Sequence, residues 1–150
     1  MVRKNQRKPH KKFDALDSAL QLTVHTLKIT ANEKIFNPSH RSTIDRIGNE
    51  AVMIYHNCHT ANHVPVKAGD YESANERLGL QREAIDLCKH LKADIVISQS
   101  LFHLKSGKVH HWNKLANDAM YKIKAWHNSD KARYNLDEKI VPIEALRKVG

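Results

Sequence analysis

Apolar residues recur along this chain at gaps of three and four, the spacing of one face of a helix. From residue 44 they fall at Ile44, Ile47, Ala51, Ile54, Cys58 and Ala61. Asn37-Pro38 upstream predicts a helix start, a capping side chain followed by proline in the first turn, and the segment must end before Pro65. A second stripe runs through Leu78, Ile85, Cys88, Leu91, Ile95 and Phe102. Asp70 after Gly69 suits its N-cap and "KSG" at 105–107 its C-terminal stop. A third stripe is Trp112, Leu115, Ala119, Ile123 and Trp126, and an earlier one is Phe13, Leu16, Leu20, Val24 and Leu27. No stretch alternates at period two over a convincing length. Four amphipathic helices with short connections predict an all-α protein, an up-down antiparallel four-helix bundle over residues 13–133.

The 150 residues are one domain's worth of chain, with 41 % hydrophobic and 27 % charged residues, ordinary for a soluble fold. No run of apolar residues is long enough to span a membrane, so no membrane partner is expected. The basic start "MVRKNQRKPHKK" is followed by no apolar core and does not read as a secretory signal. Two cysteines make no disulfide framework and point to a reducing, cytoplasmic setting.

Charge changes the picture more than composition does. The formal net charge is +9, and Arg3, Lys4, Arg7, Lys8, Lys11 and Lys12 supply six positive charges with no acid among them. Residues 1–12 therefore read as a basic flexible arm suited to phosphate neutralisation, and residues 134–150 as a tail that Pro142 interrupts, disordered or docking. On the third helix Arg82, Lys89 and Lys92 flank the core stripe near one side. On the fourth, Lys114, Lys122 and Lys124 stand with His110 and His111, and only Asp118 opposes them between 108 and 124. Together with the arm these twelve basic residues are the expected nucleic-acid or partner contacts. Glu76, Glu83, Asp86 and Asp94 make the third helix's surface mixed rather than uniformly basic.

Catalytic and metal chemistry find less support. "YHNCHTANHV" at 55–64 sets His56, His59 and His63 on one face by i, i+3, i+7 spacing. Cys58 lies about 200° from His56 and cannot join them, whereas a zinc site wants about four convergent ligands. Cys58 and Cys88 sit on core stripes, where a thiol behaves as a small hydrophobe. No nucleophile elbow, P-loop or dinucleotide fingerprint is present. Arg82 to His90 and Arg46 to His56 are spaced too widely for the arginine–histidine motif of small helical ribonucleases of the HEPN type. The expectation is a protein that is not an enzyme and holds no cofactor or metal. A histidine-dependent metallo-nuclease using the His56, His59, His63 face is the alternative from a different class.

The stretch "ERLGLQREAIDLCKHLKADIVISQSLFHLKSGKVHHWNKLANDAMYKIKAWHNSDKAR", with "NPSHRSTIDRIGNEAV" upstream, resembles one four-helix-bundle family. It is the family of the accessory variability determinant (Avd) of diversity-generating retroelements and of the proteins encoded in 23S ribosomal RNA intervening sequences. The features that match are the long third helix with basic residues beside its apolar stripe, the turn near Gly107 and a fourth helix ending in "IKAW". The likeness covers about residues 15 to 133. It implies a homopentameric ring with a basic surface and no catalytic residues. It further implies a reverse transcriptase and structured RNA, with DNA beside it, as partners in mutagenic cDNA synthesis in a bacterial or phage-encoded setting. Within the family the alternative is an intervening-sequence protein of unknown role. Functional basic residues of the family lie on the third helix, and Arg82, Lys89 and Lys92 stand in the matching stretch.

Overall fold

Residues 11–134 are described by the structure, a computed structural model. They form four helices: α1 (Lys11–Thr30), α2 (Arg41–His63), α3 (Tyr71–Leu101) and α4 (Ser106–Arg133), with a short 3-10 turn, Pro38–His40, leading into α2. Successive helices pack side by side and α4 closes back on α1, an antiparallel four-helix arrangement with no strand among the described residues. No described helix is long and apolar enough to cross a membrane. The helix α1 begins at Lys11, two residues before the expected boundary of the arm.

The starts follow from capping chemistry. Asn37 Oδ1 accepts from Ser39 N at 2.9 Å, so the Asn-Pro pair caps the 3-10 turn and α2 follows from it. Asp70 Oδ1 accepts from Ser73 N at 3.1 Å, and Ser73 Oγ donates to Asp70 Oδ2 at 2.7 Å, closing the first turn of α3. Gly69, at φ 82°, makes the bend that precedes it. The reversal after α3 differs from expectation. Ser106 and Gly107 open α4 rather than ending α3, and His103 takes the left-handed conformation at φ 54°.

The stripes on α2 and α3 are buried throughout, and on α4 only Leu115 is half-buried. The α1 stripe is a correction. Phe13, Leu20, Val24 and Leu27 are 56, 43, 40 and 42 % exposed, and Leu16 is half-buried. The inner face is instead Ala15, Ser18, Ala19, Leu22, Thr23, Thr26 and Thr30. The physical reason is the fully buried Trp112, whose indole N–H needs an acceptor and finds Thr26 Oγ1 at 3.0 Å. Thr26 in turn donates to Leu22 O at 2.7 Å, and Thr23 Oγ1 donates across to Ala51 O on α2 at 2.7 Å. Every buried threonine proton on this face has a carbonyl.

Two polar clusters lock α3 to its neighbours. At one end Arg77 Nε donates to Asp130 Oδ2 at 2.7 Å and Gln81 Nε2 to the same oxygen at 2.8 Å, all three residues buried. Arg77 also reaches Ala61 O at 3.3 Å and lies 5.2 Å from the Trp126 ring, so one guanidinium ties α2, α3 and α4 together. Toward the other end Arg46 holds Asp94 bidentately, at 2.7 and 3.3 Å. Burial, then the hydrogen bond to Asp94 and its charge, push the Glu50 carboxyl up to about 8. Burial opposes ionisation of Asp94 too, but the hydrogen bonds from Arg46 and Glu50 outweigh it and lower its pKa. Near neutral pH Glu50 therefore carries the proton of the pair and Asp94 the charge.

Removing one partner of a buried pair leaves the other charge stranded. We expect Asp130→Ala to cost about 3–5 kcal/mol in urea unfolding, against under about 0.5 for the exposed control Asp45→Ala. A loss below about 1 kcal/mol would show that Arg77 finds another partner.

Candidate nucleic-acid interface

Side chains on a helix advance by about 100° per residue, which sorts the basic residues by the neighbour they face. On α3, Asp94 turns toward α2, where it meets Arg46. Arg82, Lys89 and Lys92 lie on the opposite flank, toward α4. Their electrostatic partners agree. Arg82 acts on His127 of α4, and Lys92 acts on Cys88 together with Lys124 of α4. Burial pushes the Cys88 thiol up to about 12 against the pull of these two ammonium groups, so both stand close to the α3–α4 seam.

The structure therefore brings Arg82, Lys89, Lys92 and Lys124 to one seam. Lys89 makes one loose contact, 3.8 Å to the exposed Asp86 carboxylate, which leaves most of its charge to solvent. Lys122 lies about 200° around α4 from Lys124, on the flank toward α1, and does not join them. Lys114 lies between the two in azimuth, about 15 Å nearer the start of the helix. Of the arm, Lys11 and Lys12 stand on the first turn of α1, with Lys12 Nζ 4.9 Å from the Phe13 ring. Arg3, Lys4, Arg7 and Lys8 lie outside the described residues, as does the tail from 135 onward.

Two residues of the seam went unnoticed in the sequence. His127 and Lys131 continue from Lys124 at i+3 and i+7, a spacing that would have placed them on its face. His127 is half-buried and its Nε2 is buried without a partner. Burial lowers its pKa most; a hydrogen bond with Asn128 opposes, and Arg82 and Lys131 lower it further. Asp130, on the same turn, is committed inward to Arg77.

The histidines that opened the metal question are all exposed on α2. The His59 and His63 rings stack at 4.4 Å, and His63 Nδ1 donates to His59 O at 2.8 Å. Among the described residues no three His, Cys, Asp or Glu side chains are placed to hold a metal ion. Cys58 and Cys88 are free and buried, and burial, with the facing Cys88 sulfur, pushes the Cys58 thiol up to about 12 as well. Such thiols are poor nucleophiles.

Compared with protein-family models, with curated proteins and with solved structures, the chain matches none.

The crowding of Arg82 and Lys131 around His127 has a direct readout. In an NMR titration we expect His127 to protonate below the usual 6.5 and Arg82→Ala to move its midpoint upward. A midpoint that Arg82→Ala leaves in place would separate the two side chains.

Proposed function

We propose that this chain is a non-enzymatic accessory factor that holds structured RNA beside a reverse transcriptase, in the manner the resemblance to the Avd family implies. Its copies assemble as a homopentameric ring, and the ring supports mutagenic cDNA synthesis in a diversity-generating retroelement. One observation carries the reading: four expected basic residues, Arg82, Lys89, Lys92 and Lys124, share one seam with His127 and Lys131. A line of cations along two packed helices follows a phosphate backbone, and each neutralised phosphate releases a counterion. The exposed apolar face of α1 supports assembly, since Phe13, Leu20, Val24 and Leu27 gain burial only against another surface. Repetition of the seam around a ring multiplies weak contacts into avidity. The basic arm, 1–12, adds six charges to each copy.

The test is a salt titration of binding to a structured RNA. We expect Lys89→Gln/Lys92→Gln/Lys124→Gln to lower the log–log salt slope by about 2 to 3, about 0.7–0.9 per lost phosphate contact. Helicity should be unchanged, and Lys114→Gln should shift the slope far less. An unchanged slope in the folded triple variant would remove the seam from the reading.

A further inference from the structure

A cavity of about 420 Å³ opens at the end of the bundle where α1 stops and α4 starts. Its floor is apolar: Ile29, Ile35, Phe36, Leu104 and Trp112. Phe36 is fixed there by Phe102, 4.6 Å between ring centroids, and by Trp112 at 6.3 Å edge-on. Phe36 and Trp112 are almost wholly withdrawn from solvent and form a rigid backing, over which the half-buried Ile29 and Ile35 present apolar surface to the cavity.

The rim has the opposite chemistry. His25 and Lys28 of α1 face Lys108 and His111 of α4 across the mouth, and no carboxylate lines the cavity. Neither Lys28 nor Lys108 has an ion-pair partner among the described residues. The His25 and His111 rings meet edge to face, 4.9 Å apart. Burial first, and then His111, lower the pKa of His25, so this pair adds donors without adding two full charges. A second depression shares His25, Lys28 and His111 and continues along α1 past Leu20 and Val24. The basic saddle thus stands between two apolar surfaces.

Pockets of this size take small organic ligands, with an apolar body bounded by a few converging polar groups. We propose that the cavity binds an amphiphilic organic acid, its apolar body against Ile29 and Ile35 above the buried Phe36–Trp112 base and its carboxylate at the Lys28–Lys108 rim. The charge sign selects the class: a neutral body leaves two unpaired ammonium groups at the mouth, and a cation meets like charge. The site lies on the α1–α4 side of the bundle, apart from the RNA seam between α3 and α4, and its rim borders the α1 face proposed above for assembly.

The probe is decanoate, titrated calorimetrically into the full chain below its micelle concentration. We expect saturable binding at one site per chain, with decan-1-ol and decyltrimethylammonium at least tenfold weaker. Lys28→Gln/Lys108→Gln, both exposed positions, should weaken decanoate at least tenfold and leave the circular dichroism spectrum unchanged. Ile35→Glu, which sets a carboxylate in the floor, should abolish it. No saturable binding, equal affinity for decanol, or a double lysine variant that binds as before would each overturn the proposal.

Discussion

The hydrogen bond from Trp112 Nε1 to Thr26 Oγ1 sets how α1 is turned on the bundle. A buried indole N–H requires an acceptor, and burying Thr26 is consistent with its apolar surroundings only because its own proton goes to Leu22 O. With Thr26 inward, Thr23, Ala19 and Ala15 must also face inward, one, two and three turns away. These are short side chains, so α1 packs close to Trp112 and to Ala51 on α2. The larger residues Leu20, Val24 and Leu27 are then rotated outward. An apolar outer face thus follows from satisfying one indole, and it is the surface proposed above for assembly.

The same rotation fixes the cavity. His25 precedes Thr26 and Lys28 follows it by two, so the azimuth that buries Thr26 delivers both to the mouth facing His111 and Lys108. On the other side of the molecule the acids decide what the surface presents. Asp94 and Asp130 are buried and spoken for by Arg46 and Arg77. Neither therefore opposes Arg82, Lys92 and Lys124 from the outer α3–α4 seam, where the exposed Asp86 carboxylate stands beside Lys89.

Three of the four helices were legible because their inner faces are made of large apolar side chains, which periodicity detects. The α1 face was not, because alanine and threonine bury well only when their neighbours are close and their hydroxyls paired, and neither condition is visible in one segment. The turn after α3 misled for a related reason. Gly107 has the conformational freedom of a stop, yet a histidine at 103 takes the positive φ. At the site, residue type was legible but azimuth between helices was not. Lys122 and Lys124 are two apart in sequence and on nearly opposite flanks of α4, and the buried Arg77–Asp130 tie joins residues 53 apart.

The central claim is that the outward face of α1 is an assembly surface, and the molar mass of the full chain in light scattering tests it most directly. Five copies of 17.2 kDa come to about 86 kDa. The account predicts that mass for the unaltered chain, falling toward 17.2 kDa with Leu20→Glu/Val24→Glu while helicity is kept. An unaltered chain that runs at 17.2 kDa, or an assembly that survives both charges, would contradict it.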